Sequence, residues 1–352
     1  MQKIFTQAKW LTAPEFLDAP VNNLFHRQLE KVDPSDWDLS RQNRHLLYRK
    51  KFVLSAGDLQ TPAKLFITAD DYYKLYINGQ FVGMGPAPGY HFHYFCNEID
   101  VTDFLCEGEN VIAVHTYYQG LINRVWVSGD NRHGMICEME SNGRLLLASD
   151  ETFRLQEHSA FSIAGKAGYD TQYLEKYDAS APECGFEQPG FDDSDWEHAV
   201  VKTDADYQFH LQVSQMLVQE EIRPVKTIRR DNVLFVDFGG IYVGSLAVRA
   251  AGKKGDTITI RCGQELNQDG SVRWQMRCNC NYQEYFVLSG GENDILNQFD
   301  FKSFRYTELE LPEGVSVSDV TLLARHYPFE LKAVLNRQDE RSKQIWKLCT
   351  ET

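Results

Sequence analysis

The stretch Tyr72–Gly83, YYKLYINGQFVG, decides how this chain is read. Two short arms rich in apolar and aromatic residues flank Asn78-Gly79. A two-residue primed turn needs φ > 0 at both central positions, which Asn and Gly tolerate best, so the stretch reads as a β-hairpin. Its three tyrosines, Tyr72, Tyr73 and Tyr76, are expected at the core and rim of a sandwich. There a ring buries much area while the hydroxyl keeps one wet or hydrogen-bonded end.

The same pattern continues on either side. LLYRKKFVL (46–54), AKLFITA (63–69) and NVIAVHTYY (110–118) carry β-branched and aromatic residues, and MICEME (135–140) runs through Asn142-Gly143 into RLLLAS, a second hairpin of the same design. A single helical turn is read from Val101 to Leu105, with Gly108 in the turn that follows. The polar segment Lys202 to Gln219 is read as the crossing between domains. Beyond it come VLFVDFG (233–239), GSLAVRA (244–250), DTITIRCGQEL (256–266), NYQEYFVL (281–288), FRYTELEL (304–311) and VSDVTLLARHY (317–327). Strands spaced by roughly ten residues without helices between them point to β-sandwiches and not to parallel α/β units. No glycine-rich phosphate loop is present, and no cofactor is expected.

The expected fold is therefore all-β, two consecutive jelly-roll or β-sandwich domains followed by the start of a linker helix. Residues 1–201 form the first domain, 202–330 the second and 331–352 the helical start. In that last segment Ile345, Leu348 and Cys349 fall at helical spacing beside Trp346, with Asp339 and Glu340 early, as the helix dipole favours. No other long helix is read to cover this apolar face, so the expectation is a fragment with a helical domain following.

Composition narrows the partners. The 352 residues carry 50 Asp and Glu against 36 Lys and Arg, a net charge of −14, which disfavours phosphate backbones and anionic lipid. Nucleic acid and membrane are thus not expected as partners. The amino terminus lacks a signal-like apolar run, and the eight cysteines lack the density of a disulfide scaffold. Those features predict a cytoplasmic setting, although a removed signal peptide would defeat that inference.

YYKLYINGQFVGMGPAPGY followed by NEIDVTDFLCEGENVIAVHTYYQG resembles the amino-terminal jelly roll of bacterial α-L-rhamnosidases, glycoside hydrolase family 78. The residues that carry this resemblance are Tyr73 to Gly79, Gly83, Pro88-Gly89, Ile99 to Leu105, Gly108 and Asn110. In the second half Asp237, Phe238, Gly239 and Gly244, then FDFKSFRYTELE (299–310), resemble the family's next sandwich, and FDDSDWEHA (191–199) is similar to an element of sugar-binding jelly rolls. The resemblance implies a galactose-binding-like first domain and a parent enzyme that hydrolyses terminal α-L-rhamnose by inversion. It implies that the two catalytic carboxyl groups lie on a helical (α/α)6 barrel, so no catalytic residue is assigned here and the chain alone is expected to be inert. The implied partners are a rhamnose-containing glycoside or polysaccharide, the chain's own carboxy-terminal barrel, and a second copy as a homodimer. The alternative is a stand-alone, lectin-like carbohydrate-binding module.

Sugars are held by an aromatic plate beneath their C–H face and by polar side chains on hydroxyl pairs. YYQGLINRVWVSGDNRHG (117–134) offers Tyr118, Asn123, Arg124, Trp126 and Asp130 for this, and SVRWQMRCNCNYQEY (271–285) offers Arg273 and Trp274. The same residues also suit a domain interface or plain surface. Asp70-Asp71 and Asp192-Asp193 are expected to be turn caps, solvated loop residues or strand neighbours on opposite faces. His91/His93 and Cys278/Cys280 lack further ligands at a structural-zinc spacing, so no metal is assigned.

Overall fold

The computed structural model describes residues 3–21, 39–121, 128–169, 171–337 and 339–351. Strands Tyr72–Ile77 and Gln80–Gly85 form the expected hairpin, with Asn78 at φ 51° and Gly79 at φ 80°. The second hairpin turns at Asn142 (φ 49°) and Gly143 (φ 76°). Asn78 does more than turn the chain. Its amide donates to Phe104 O (2.9 Å) and Asn110 Oδ1 (2.8 Å), and its Oδ1 accepts from Val111 N (2.8 Å). The hairpin is thereby pinned to the 3-10 turn Thr102–Phe104 and to strand Gly108–Tyr118.

Among the described residues the first domain is a sandwich of two sheets. One runs Glu197–His198, Arg154–Glu157, Arg44–Leu54, Gly108–Tyr118, Tyr72–Ile77, Gln80–Gly85, so the opening hairpin forms its edge. The other runs Val200–Val201, Leu11–Thr12, Gly134–Ser141, Ala63–Asp70, Tyr94–Asp100, Phe209–Leu211, with Arg144–Ala148 beside Gly134–Ser141. Alternation along the hairpin sets its two faces. Tyr73, Leu75 and Ile77 are each 0% exposed and join Leu65, Ile67, Val114 and Cys137 in the core. Each such fully buried side chain contributes about 1.5–3 kcal/mol from water exclusion. Tyr72, Lys74 and Tyr76 take the opposite face, which the pleat turns away from that core.

FDDSDWEHA folds around a buried cation. Arg49 is fully buried, donates to Phe186 O and Gln188 O (3.0 Å each) and pairs with Asp193, while Asp192 accepts from Ser194 N (3.0 Å) as a turn cap.

The second domain is one ten-stranded sheet. VLFVDFG and GSLAVRA, read as separate strands, are halves of a single strand, Val233–Ala251. Its ladder to Lys302–Glu310 is interrupted between Asp237 and Tyr242, where Gly239 takes φ 82°. Extra unpaired residues bend a strand at such a point. The first half pairs with Lys226–Arg230 and the second with Asp294–Asn297 and Ser316–His326. The shared core gathers Phe238, Leu246, Ile260, Phe286, Phe304 and Leu322.

The domains interlock. Hairpin Phe161–Ala167/Gln172–Asp178 joins the second sheet, through parallel pairing of Gln172–Asp178 with Gln283–Val287. The expected crossing segment contributes Phe209–Leu211 to the first domain, parallel to Tyr94–Asp100, and then begins strand Val218–Ile222 of the second. After His326 a stretch without helix or strand leads to helix Glu340–Glu351, started by Asp339 Oδ1 accepting from Ser342 N (2.9 Å). Its Ile345 and Leu348 are exposed, and so are Phe329, Leu331 and Val334 before it.

Candidate functional site

The outer face of the opening hairpin meets the second domain, and a cleft of about 350 Å³ lies at that junction. One wall is Tyr72, Lys74 and the turn Met84–Pro88, another is Gln212 with Ser214 to Leu217, and Phe299, Phe301, Arg325 and Tyr327 come from the second domain. This volume falls in the roughly 300–1,000 Å³ range of small-molecule sites, and domain junctions commonly hold such sites.

Hydrogen bonds hold the walls in place. Gln212 Oε1 accepts from Ala87 N and Asn97 Nδ2 (2.9 Å each), and Asn97 Oδ1 accepts from the Tyr73 hydroxyl (2.7 Å). Gly85 has no room for a side chain, because a Cβ there would lie 2.2 Å from Asn97 Oδ1. The segment Gln298–Phe301 rests on a buried charged layer. Lys302 Nζ pairs with Glu284 (2.7 Å) at nearly zero exposure, and Gln298 also bonds Glu284. Glu175 accepts from Asp300 N (2.6 Å) and Phe299 N (3.2 Å). Burial, with the neighbouring Glu284 charge, pushes the Glu175 carboxyl up, while burial pulls the Lys74 ammonium down. Lys74 Nζ donates to Gln298 O (2.8 Å) and lies 4.8 Å from the centre of the Phe299 ring. Beneath Phe299 lie His45 and His115, whose ring nitrogens meet at 3.0 Å; burial keeps both imidazoles neutral at ordinary pH.

A second polar cluster sits inside the first domain. Asp70 and Asp71 are both buried, contrary to the expectation of solvated caps or opposite faces. They lie where strand Ala63–Asp70 ends against the loop Ser128–His133, whose backbone and side chains supply partners that a surface turn would take from water. Tyr207 donates to Asp70, while Gln119 N (2.8 Å) and Ser128 Oγ (2.6 Å) donate to Asp71 Oδ2. Their Oδ1 atoms are buried without another hydrogen-bond partner, so a proton kept on one of these adjacent carboxyls can be donated to the other. Burial, joined by the Asp71 charge, holds Asp70 protonated well above the carboxylate range, and burial pushes Asp71 up to about 7. Asp130 is also pushed up to about 7 by burial and by Asp70, even though Arg132 lies 3.0 Å away. Desolvation outweighs the ion pair here, as it often does in an interior.

Residues 60–229 match the α-L-rhamnosidase N-terminal domain, and residues 227–325 match the bacterial α-L-rhamnosidase concanavalin-like domain. The chain belongs to the α-L-rhamnosidase family, glycoside hydrolase family 78. It corresponds to the family's amino-terminal β domains, and among its described residues no helical barrel is present. An α-L-rhamnosidase of Streptomyces avermitilis is 27% identical over 282 residues, covering 75% of this chain and 27% of that protein. One from Formosa agariphila is 24% identical over 353 residues, covering 88% and 36% respectively. The chain thus spans about a third of the length of these rhamnosidases. The crystal structure of the family 78 rhamnosidase of Bacillus sp. GL1 superposes with a TM-score of 0.75 at 13% identity, over 92% of this chain and 55% of that one. The native α-L-rhamnosidase of Aspergillus terreus gives 0.64 at 23% identity, over 92% and 36%. These likenesses show the shared fold.

Within this rhamnosidase-family frame the sequence candidates separate. Tyr118 is core: its hydroxyl accepts from Asn131 N (2.8 Å) and its ring packs on Phe16 and His133. Asp130 is its buried neighbour in the carboxyl cluster. Asn123, Arg124 and Trp126 lie outside the described residues. Arg273 and Trp274 sit between strands Thr257–Gly263 and Gln283–Val287, where Arg273 pairs with Glu265 (2.6 Å) and Arg261 lies 5.8 Å from the Trp274 ring. His93 stacks on His210, Cys278 accepts from the Tyr169 hydroxyl, and among the described residues no three His, Cys, Asp or Glu are grouped as metal ligands. Sequence reading passed over the cleft residues Lys74, Phe299, Phe301 and Arg325. The available signal was a basic residue in each of two otherwise apolar strands, YYKLYI and VTLLARHY.

Proposed function

We propose that this chain is the non-catalytic β platform of an enzyme that removes terminal α-L-rhamnose from glycosides or polysaccharides by inversion, the acid and base carboxyls being carried by a helical barrel outside these domains. The observation that carries this reading is the match of both β domains, in order, to the two rhamnosidase domain models. The distribution of carboxyls supports it. Inversion needs two of them about 6.5–9.5 Å apart around an open site that admits sugar and water. Asp70, Asp71 and Asp130 are instead sealed in the first domain, and among the described residues no Asp or Glu lines the interdomain cleft. The platform presents its cleft and the exposed apolar residues Phe329, Leu331 and Val334 to a neighbouring domain.

A second reading, a lectin-like module without hydrolase partner, draws on the aromatic cleft alone. An antibody against this chain separates the two. Material it precipitates from the source cells should hydrolyse an aryl α-L-rhamnoside. Precipitates that contain the chain but lack that activity would favour the module.

A further inference from the structure

We propose that the interdomain cleft binds a saccharide through a carboxylate group, the chemistry of a uronic acid residue, with Arg325 as the group that reads the anion. This rests on the reading of these domains as part of a carbohydrate-active protein. The first observation is charge. In a chain of net charge −14, the described residues that line the cleft include no acid and two cations, Lys74 and Arg325. A local reversal of sign inside an acidic protein concentrates field lines on an anion.

The second observation is the state of Arg325. Its guanidinium carbon lies 4.0 Å from the centre of the Phe301 ring. Among the described residues no carboxylate comes within ion-pair distance of it and no hydrogen bond occupies its donors. Asp300 acts on it only at longer range, and its Oδ1 already accepts from Phe301 N (2.8 Å). A guanidinium held over a ring spends none of its N–H donors there, and a free guanidinium fork can take a carboxylate by two parallel bonds. Burial lowers the Arg325 proton affinity, the mark of a cation whose lost hydration nothing replaces.

The walls select the rest of the ligand. Tyr327 is exposed and offers a ring face of the kind that packs on sugar C–H groups, Phe299 closes the floor, and Gln212 holds the opposite wall in place. Lys74 adds positive potential from below, with one of its three donors on Gln298 O. The hydroxyls of a neutral sugar can accept from Arg325 but leave its charge uncompensated; a uronate pairs with it.

The test is a calorimetric titration of the 352-residue chain with methyl β-D-glucuronide and with the neutral methyl β-D-glucoside. Because hydrogen bonds to a charged partner are roughly twice as strong as neutral ones, the glucuronide should bind at least about tenfold more tightly. Arg325→Gln, with an unchanged melting temperature as proof of folding, should bring it down to the glucoside's affinity, and Arg325→Lys should fall between. Equal binding of the two wild-type ligands would overturn the proposal whether or not the variants fold. So would glucuronide binding undiminished in folded Arg325→Gln, or binding of polyglutamate without binding of glucuronide. If glucuronide fails to bind while precipitated material still hydrolyses rhamnosides, the cleft assignment fails and the platform reading stands. The reverse pair of results removes the platform and keeps the cleft.

Discussion

At the scale of single residues, Asn78 is where local conformation and long-range contact meet. It takes the left-handed backbone its turn requires and spends its whole amide on Phe104, Asn110 and Val111. Asn78→Ala removes these bonds and leaves Val111 N without its side-chain acceptor, which should cost about 1–3 kcal/mol in urea denaturation. Asn142→Ala, at the exposed turn of the second hairpin, should cost less because that side chain sits in water. Equal losses would mean that the turn conformation alone accounts for the requirement. The turn at Asn78-Gly79 was legible in two letters of sequence, since φ > 0 is a local demand. The amide's partners were not, because they come from strands that meet only in the folded sheet. Arg325 was hidden for the same reason: a strand pattern shows which face a residue takes, not whether a second domain closes over it.

Among elements, the strand end at Asp70 and the loop Ser128–His133 bury a group of acids that sequence reading left on the surface. In the unfolded chain these carboxyls lose their protons near pH 4. In the fold Asp71 and Asp130 keep theirs to about pH 7, and Asp70 to higher pH. Between those limits the native state binds more protons than the unfolded state, so stability falls as pH rises. The buried His45 and His115 act in the opposite sense, but only below about pH 6.5, where unfolded histidine becomes charged. From pH 6.5 to 8 the acids therefore dominate, and the melting temperature should drop by about 2–4 °C for each kcal/mol lost. Asp71→Asn should flatten that slope, and a melting temperature rising across the same window would contradict the assignment. Tyr94–Asp100, Phe161–Ala167 and Gln172–Asp178 went unread, but most of the other long strands were legible, since alternation and turn residues are carried along the chain. The merger of two predicted strands into Val233–Ala251 was not, because Gly239-Gly240 signals a turn and a bulge alike.

At the scale of the whole molecule, the order of motifs revealed two β domains and their family, and the domain matches bear this out. The interlocking was out of reach of sequence: a hairpin from before residue 201 completes the second sheet, and Phe209–Leu211 completes the first. The cleft is lined by residues of both domains, so a site read from one domain's loops was bound to miss it. As proposed above, this assembly supports rhamnoside hydrolysis without performing it. The most direct measurement is the release of p-nitrophenol from p-nitrophenyl α-L-rhamnoside by the purified 352-residue chain. The account predicts no release above the uncatalysed rate at any pH between 4 and 8. Turnover that tracks the purified chain and disappears in a variant of one of its own carboxylates would contradict it.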